Sequence, residues 1–286
     1  MGIEISGCFL KELDLIYKYA IFLVYKLFIR KESVRMRNVA LYSILCLTVL
    51  FSLSCSVNNG ILWDTKPMQY NVQKTTEGFD LNSQWDQGDW ANAVPVELTQ
   101  FMGEKPSHFP RTQVKMLYDT ENVYVFFRVE DNYVRAVAQN FHDPVCNDSC
   151  VEFFFTPGRD ISKGYFNMET NCGGMILLCH QTGRGENVQE VSEEDCKKIQ
   201  LLKSMPKIVD PEINGPTTWT VKYAIPYSIL KKYADVDIPA AGTQWRANFY
   251  KCADMTSHPH WLTWNKVKRP GPDFHVPEYF GILVFE

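Results

Sequence analysis

The sequence is poor in charge and contains no simple repeat. Charged residues make up only 22% of its 286 residues, while hydrophobic residues make up 45% and aromatic residues 14%. A chain of this composition can bury a core, so a mainly disordered protein is excluded. Its 16 glycines and 15 prolines follow no Gly-X-Y period, which excludes a collagen-like helix. No unit of roughly 20–50 residues recurs, which excludes a solenoid. The length allows one large domain or two small ones.

A basic surface for nucleic acid is also missing from the sequence. The formal net charge is -4, and the excess of lysine and arginine is confined to residues 1–54. The rest of the chain is therefore more acidic than the net value indicates. Binding to a phosphate backbone relies on clustered basic side chains that release counterions. We therefore expect no nucleic-acid partner.

The N-terminal part has the features of an export signal. Met36-Arg37 begins a short basic segment, and an apolar run over residues 39–53 follows it. This run is shorter than the roughly 20 residues that a membrane-spanning helix needs. Ser54 precedes Cys55, and this order of segments resembles a bacterial lipobox, in which Cys55 is lipidated and becomes the mature N-terminus. A transmembrane anchor or an uncleaved apolar segment is the alternative interpretation.

These features predict three parts in the chain. Residues 1–54 are interpreted as a leader and lipoprotein signal peptide, with Met36 as the true start. Residues 55–76 are a tether, and residues 77–286 are the folded domain. The expected location is the bacterial cell envelope, on the periplasmic face or the cell surface, with the protein exported and held to the membrane by its lipid.

The folded region is composed of short strands separated by turn residues. Two runs rich in β-branched and aromatic residues, 114–118 and 123–129, flank turn residues and predict a hairpin. Further strands are predicted at 150–155, 165–171, 175–180, 218–225, 245–251, 261–264 and 281–285. A helix capped by Ser192 is predicted to run through Leu202. Because strands and helices do not alternate, the predicted fold class is all-β, a β-sandwich of jelly-roll or immunoglobulin-like type that follows an N-terminal hydrophobic signal segment.

Four blocks, in order along the chain, resemble the motifs of a known family. They are Phe79-Asp80 followed by Asp86 and Asp89-Trp90-Ala91, the hairpin over 114–131, the run Asp148-Ser149-Cys150-Val151-Glu152-Phe153-Phe154, and the C-terminal stretches 245–250, 261–264 and 273–281. Over residues 75–286 the chain resembles the family 9 carbohydrate-binding-module-like domain. No single block is decisive, but their order and the long C-terminal match make the resemblance specific.

The resemblance implies a β-sandwich that binds sugars and does not cleave them. Studied members clamp a terminal sugar between two aromatic rings while polar side chains bind its hydroxyls, since the C–H faces of a sugar are apolar. One ring is expected just before Asp148, where this chain has only Pro144-Val145-Cys146-Asn147. The second is expected at Phe274. The first ring is therefore either absent or supplied from elsewhere, with Phe141 and His142 as candidates.

Seven residues are predicted to contact the carbohydrate. Glu152 stands where the family has a sugar-contacting carboxylate, and Phe274 lies in a proline-rich loop where a core role is less expected. Asn248 belongs to a strand whose residues alternate between two faces. Each polar member could equally be a solvated strand residue, and Trp264, like Trp261, could equally belong to the core. The full set is Glu152, Glu169, Asn171, Asn248, Trp264, Phe274 and His275.

Cysteines and metal ligands leave two questions open. Six cysteines follow Cys55, and both disulfides and buried free thiols are compatible with an exported domain: Cys146, Cys150, Cys172, Cys179, Cys196 and Cys252. His258 and His260 match no zinc-site spacing, so no metal site is predicted. The resemblance admits a structural calcium ion, but the chain has no loop dense in Asp and Asn to hold one.

Three functions compete at this point. The first is non-catalytic binding of an oligo- or polysaccharide by a lipid-anchored protein that supports polysaccharide catabolism, with a glycoside hydrolase as a further partner. The second is glycoside hydrolysis by Glu152 and Glu169, which requires carboxyl groups about 5–10 Å apart. The third is a haem-binding redox domain with Met168, Met175 and His180 as axial ligands. The sequence has no C-x-x-C-H motif for covalent haem attachment.

Overall fold

The computed structural model describes residues 66–286 of the chain. The predicted leader, the signal peptide, the lipidation site Cys55 and the first half of the predicted tether lie outside the described residues. Among residues 66–286, no helix combines the length and the apolar character needed to cross a membrane.

The described region is mostly β-structure with a few short helices. The helices are α1 Gly88–Asn92, α2 Glu193–Cys196 and α3 Tyr227–Leu230, with 3-10 turns at Val145–Asn147, Ile161–Lys163 and Pro277–Tyr279. The strands are β1 Gln69–Lys74, β2 Val96–Glu97, β3 Gln100–Phe101, β4 Arg111–Tyr118, β5 Asn122–Ala136, β6 Cys150–Thr156, β7 Tyr165–Asn171, β8 Ile176–Gln181, β9 Gln189–Glu190, β10 Gln200–Lys203, β11 Val209–Pro226, β12 Gln244–Cys252, β13 Trp261–Thr263 and β14 Gly281–Phe285.

The strands form one curled sheet whose two halves pack on each other. The hydrogen-bonded order is β10-β11-β5-β4-β1-β14-β12-β6-β7-β8-β9, with β13 paired to β12 and β3, and β2 paired to β4. The first part of β1 pairs with β14 and its last two residues pair with β4, so this strand joins the two halves. The main core draws on β4, β5 and β11 from one half and on β6, β7 and β12 from the other. The arrangement is sandwich-like, and the jelly-roll or immunoglobulin-like topology stays a prediction.

Alternation along β6 and β12 produces a second, smaller cluster on the outer face of the sheet. In β6, Val151 and Phe153 belong to the main core, while Phe154 belongs to the second cluster. In β12, Phe249 points into the main core and Tyr250 into the second cluster. Because successive strand side chains point to opposite faces, a strand can serve the core with one set of residues and a site with the other.

The structure corrects the helix predicted from Ser192 to Leu202. Ser192 does cap a helix, since its hydroxyl accepts from the backbone N–H of Asp195, but the helix ends at Cys196. Leu201 and Leu202 instead lie in β10, which pairs with β11. A pairing between strands far apart in sequence outweighs local helix propensity, and the local pattern carries no sign of it.

A buried group of charged and imidazole side chains ties β5 to β12. The Asp131 carboxylate lies 2.6 Å from Nε2 of His108 and 3.6 Å from Nζ of Lys251. Lys251 also donates to Nε2 of His260 at 2.8 Å, and Nδ1 of His260 bonds the carbonyl of His258. Nε2 of His260 therefore accepts, which requires a neutral ring. This network holds the ends of two strands that reach the candidate site described below, β12 at Cys252 and β13 at Trp261.

We expect acid to weaken the fold through His260. Burial, together with the Lys251 ammonium, lowers the pKa of His260 from 6.5 to about 3. Between these two values residue 260 binds more protons in the unfolded chain than in the folded chain, so the contribution of His260 to the free energy of unfolding falls as pH drops from about 6.5 towards 3. The contribution of His260 is about 1.4 kcal/mol for each pH unit in that window.

Asp131 acts in the same direction at lower pH. Burial works to raise its pKa, but the Lys251 ammonium and the hydrogen bond to His108 hold the pKa of this carboxyl well below its usual value. The stability it provides is lost as pH falls through that lowered value.

Urea unfolding between pH 7 and pH 4 measures the contribution of His260 to stability. His260→Gln should remove the His260 contribution from the slope of the free energy of unfolding against pH. The control His258→Gln should keep the wild-type slope. Equal slopes in both variants would refute the assignment of this contribution to His260.

Candidate functional site

A pocket of about 150 Å³ opens on the outer face of β6, β7 and β12, above the second cluster. Its wall combines aromatic rings, carboxyl groups and thiols from seven segments of the chain. The lining residues are Cys146, Glu152, Phe154, Glu169, Arg184, Cys252, Asp254, Trp261, Pro272, Asp273, Phe274 and His275. Two larger depressions, of about 290 and 330 Å³, contain no aromatic residue.

Trp261 and Phe274 supply the principal aromatic surface of the pocket. Trp261 is half-buried at the start of β13, and its indole N–H donates to Oδ1 of Asp254 at 2.8 Å. Phe274 is 9% exposed, and Tyr250 stacks on one face of its ring with a centroid distance of 4.1 Å. Tyr250 in turn donates its hydroxyl to the carbonyl of Phe274. Both rings are held by contacts beneath them, so each is a fixed surface for an apolar ligand face.

Two buried glutamates lie side by side in the pocket wall. Glu152 in β6 and Glu169 in β7 are directly opposite each other in an antiparallel pair, which brings their side chains together. Burial raises the pKa of Glu169 to about 7. Burial, followed by the adjacent charge of Glu169, raises the pKa of Glu152 well above its usual value. Burial also raises the pKa of Asp254, so all three carboxyl groups take up a proton more readily than exposed ones.

A chain of amide hydrogen bonds orients Glu169 and His275. The backbone N–H of Gly185 can only donate, so the atom of Gln181 that it contacts at 2.9 Å is the carbonyl oxygen Oε1. Nε2 of Gln181 then donates to Oδ1 of Asn167 at 2.9 Å and to Nδ1 of His275 at 3.2 Å. Nδ2 of Asn167 is left to donate to Oε1 of Glu169 at 3.0 Å. One backbone N–H thereby determines the direction of every bond in the chain.

His275 is neutral and carries its proton on Nε2. Its Nδ1 accepts from Gln181 and lies 3.0 Å from the hydroxyl of Tyr165. Burial, and then the positive charge of Arg184, lower the pKa of His275 to about 4. Asp273 accepts from Arg184 at 2.8 Å and from the backbone N–H of His275 at 3.0 Å, which fixes the loop.

Four of the seven predicted contact residues line this pocket. They are Glu152, Glu169, Phe274 and His275. The glutamates come from adjacent strands, while Phe274 and His275 come from the loop before β14, so these four residues are far apart in sequence.

Asn171 and Asn248 do not line the pocket, and their predicted role is corrected. Each is fully buried with its amide used inside the protein. Asn171 donates to Oδ2 of Asp148, a carboxylate that also accepts from the backbone N–H groups of Val137 and Ala138. Asn248 accepts from the backbone N–H of Asn265 and donates to the carbonyl of the same residue. Both amides are bonded within the protein, and neither residue is part of the pocket wall.

Trp264 is likewise a core residue and not a sugar-stacking one. Its side chain is fully buried in the main core, with its ring centroid 5.5 Å from that of Phe249. The ring also lies against the backbone of Gly281, where a Cβ atom would come within 2.6 Å of it. The glycine of the terminal Phe280-Gly281 motif is therefore required by the close approach of Trp264.

The second aromatic residue is Trp261, and neither Phe141 nor His142 takes that place. Phe141 packs against the main core, and the His142 ring bonds the carbonyl of Val191 at 2.9 Å. Both residues are absent from the pocket wall. The sequence pattern could have indicated Phe154 as a pocket residue, because it lies two residues beyond Glu152 and therefore on the same strand face. No sequence pattern indicated Arg184, which reaches the pocket from the turn after β8.

All six cysteines of the described region are free thiols. Disulfides and free thiols were both compatible with the sequence, and in the described region the structure has free thiols. Three of the thiols, those of Cys146, Cys150 and Cys252, lie in or beside the pocket, while the others are buried elsewhere.

Among residues 66–286, the one close cluster of His, Cys, Asp and Glu side chains does not suit a structural calcium ion. Two lysines donate hydrogen bonds to backbone carbonyl oxygens of the acidic segment 80–90. Lys115 donates to those of Trp85 and Trp90, and Lys222 donates to those of Asn82 and Ser83. Across residues 66–286, one group of three or more His, Cys, Asp or Glu has its ligand atoms close together, and two of its members are thiols. Calcium requires six to eight oxygen ligands.

The predicted haem ligands do not converge on one site. Met168 is fully buried in the main core. Met175 packs against the second cluster on the other face of the sheet. The ring of His180 packs against Phe166 in β7, at a centroid distance of 4.9 Å. Axial ligands must reach one iron from opposite sides, so this arrangement excludes the three residues as a haem-binding set.

Comparison with known proteins decides the family. The model of the family described as "Carbohydrate-binding family 9" matches residues 89–285, which is more than half of the chain. The chain belongs to carbohydrate-binding family 9. Modules of this family bind carbohydrate and are non-catalytic. No curated protein is significantly similar to the chain in sequence.

Solved structures share the family 9 fold. A candidate carbohydrate-binding protein from Bacteroides uniformis ATCC 8492 is 25% identical with a TM-score of 0.69, and the match covers 77% of this chain and 100% of that one. A family 9 module from Caldicellulosiruptor kristjanssonii in complex with glucose is 11% identical with a TM-score of 0.52, covering 77% and 96% of the two chains. The same kind of module in complex with cellotriose is 12% identical with a TM-score of 0.51, covering 77% and 94%. At 11–12% identity, the last two matches concern the fold alone.

Proposed function

We propose that this protein binds a saccharide without cleaving it, in the pocket lined by Trp261 and Phe274. The observation that carries the proposal is the combination of fixed aromatic rings with buried carboxyl groups in one small pocket. Sugar C–H faces pack on rings, and sugar hydroxyls donate to oriented oxygen acceptors. The oriented Oε1 of Glu169 is such an acceptor, and the Nε2–H of His275 is a donor.

The size of the pocket favours one sugar unit over several. Pockets that take drug-sized ligands measure about 300–1,000 Å³, whereas this one measures about 150 Å³. A single ring at the end of a chain fits such a volume, with the rest of an oligosaccharide in solvent. The glucose and cellotriose complexes of the Caldicellulosiruptor module support a saccharide as the ligand class.

A binding screen tests this proposal directly. The full chain, purified in detergent, is applied to a broad glycan array, and each hit is followed by isothermal titration. We expect a saturable one-to-one complex with at least one saccharide that has a free chain end. A folded protein that binds no glycan on the array would refute saccharide binding.

Hydrolysis is the second candidate, because Glu152 and Glu169 stand together as a carboxyl pair. A glycosidase needs one such group as an acid with a raised pKa and one as a nucleophile or base. Membership in a family of non-catalytic modules favours binding alone. After incubation with the purified protein, the saccharide should be intact. If the wild-type protein releases sugar and the Glu152→Gln variant does not, the protein is a hydrolase and the proposal of binding alone is wrong.

We further propose that the protein is exported and anchored to the bacterial cell envelope through lipid on Cys55. Support comes from the basic start, the apolar run and the small residue before Cys55. A sugar-binding module on the cell envelope would serve polysaccharide catabolism beside a glycoside hydrolase. Cells fed a labelled fatty acid should label the wild-type protein and not Cys55→Ser. Equal labelling of both would refute the anchor.

A further inference from the structure

Two thiols and a carboxyl group converge on one point at the pocket wall and directly behind it. Cys150 and Cys252 are directly opposite each other on β6 and β12, and Glu152 follows Cys150 by two residues on the same face. The two sulfur atoms and a carboxylate oxygen of Glu152 all lie within 4.8 Å of one another. The Cys252 thiol donates to Oε1 of Glu152 at 3.0 Å. All three side chains are at least 98% buried.

Two further carboxyl groups of the described region lie near this group without an ion-paired cation. Glu169 is directly opposite Glu152 in the β6–β7 pair, and Asp254 lines the same pocket. Within residues 66–286, none of these three carboxyl groups makes an ion pair. The nearest ammonium, that of Lys251, already bonds His260 and the carbonyl of Cys252 on the other face of the strand. Buried carboxyl groups in this situation hold a proton or another cation.

We propose that Cys150, Glu152 and Cys252 form a binding site for a thiophilic divalent cation, with Zn²⁺ as the ion that this donor set fits. Thiolates with a carboxylate match zinc and exclude the hard cations calcium and magnesium. On a tetrahedral zinc ion with bonds of about 2.0–2.3 Å, ligand atoms are about 3.3–3.8 Å apart. The present separations, 3.0 Å for one pair and up to 4.8 Å, require movements of about an ångström.

The ion can enter from solvent because Glu152 and Cys252 line the pocket. The fourth coordination position is then on the pocket side, where a water molecule completes the tetrahedron. On binding, two S–H bonds are replaced by two Zn–S bonds and both protons pass to the buffer. A third proton leaves when Glu152 is protonated beforehand. The step involves no oxidation.

Cobalt and zinc titrations of the full chain test this site. The protein is purified in detergent, reduced and freed of metal before Co²⁺ is added. We expect one equivalent of Co²⁺ to produce thiolate-to-cobalt absorption with release of at least two protons per ion, and Zn²⁺ to displace the cobalt and remove this absorption. Calcium at the same concentration should not compete. Absence of stoichiometric binding would refute the site.

Matched cysteine variants locate the ion. Cys252→Ser should weaken zinc binding at least a hundredfold, whereas Cys196→Ser, which replaces an equally buried thiol in the main core, should stay within twofold of wild type. If Cys252→Ser does not fold, Cys150→Ser and Glu152→Gln carry the same expectation. Wild-type affinity in all three would overturn the assignment. Glu152 and Cys252 also line the proposed saccharide pocket, so saccharide binding is measured separately on the metal-free protein, and failure of one measurement leaves the other proposal standing.

Discussion

Trp261→Ala is expected to weaken saccharide binding by about thirtyfold or more. The half-buried indole forms a large part of the aromatic surface of the pocket. Truncation of a central aromatic contact in a small site costs about 2 kcal/mol or more, which corresponds to that factor. The variant also removes the N–H that bonds Asp254, so the oxygen acceptor beside the ring loses its fixed orientation. Isothermal titration with a saccharide identified by the array measures the change.

Two further variants separate the ring from its N–H group and from general destabilisation. Trp261→Phe keeps an aromatic surface and loses only the bond to Asp254, so we expect a loss of a few-fold. Trp85→Ala removes another half-buried tryptophan that packs far from the pocket residues, against Phe126. Its affinity should remain within twofold of wild type. An unchanged affinity in a folded Trp261→Ala protein would remove Trp261 from the site.

Asp131→Ala is expected to lower the free energy of unfolding by about 3–5 kcal/mol. The substitution leaves the Lys251 ammonium fully buried without its carboxylate, and an uncompensated buried charge costs about this much. Backbone N–H groups of Asn132 and Tyr133 lose an acceptor at the same time. Urea unfolding monitored by tryptophan fluorescence measures the loss.

The matched controls for this prediction are a double variant and a surface ion pair. Asp131→Leu combined with Lys251→Met removes both charges, so it should recover much of the stability that the single change loses. Glu278→Ala breaks the exposed pair with Arg269, whose N–O distance is 2.9 Å, and should change stability by less than about 1 kcal/mol. If Asp131→Ala lowers the free energy of unfolding as little as Glu278→Ala does, the buried pair of Asp131 and Lys251 stabilises the fold no more than an exposed ion pair.

The local pattern predicted which residues of a strand share a face, without information on the neighbouring strands. In β6 and β12 the apolar residues at every second position are in the main core, and Glu152 and Tyr250 are on the opposite face. This follows from the period of two along a strand, which is a property of the backbone. The strands at 165–171 and 281–285 were predicted with their observed bounds for the same reason.

Long-range pairing was not visible in the local pattern. β5 extends to Ala136 and β11 begins at Val209, well beyond the predicted limits, because the two strands pair along most of their length through register shifts. The segment 209–217 contains Pro, Gly, Asp and Asn, which are depleted in strands, so its own composition argues against the structure that it adopts. The same limitation applied to β10.

The sequence by itself determined the family, the mostly-β fold, the face on which Glu152 lies and the loop that carries Phe274 and His275. These depend on short-range periodicity and on motif order, both of which are written along the chain. The tertiary structure alone decided that Trp261 completes the aromatic surface, that Asn171, Asn248 and Trp264 are internal, and that Cys150 and Cys252 meet beside Glu152. Those outcomes depend on which strands become neighbours and on what each side chain then contacts, and hydrogen-bonded pairing between distant segments sets both.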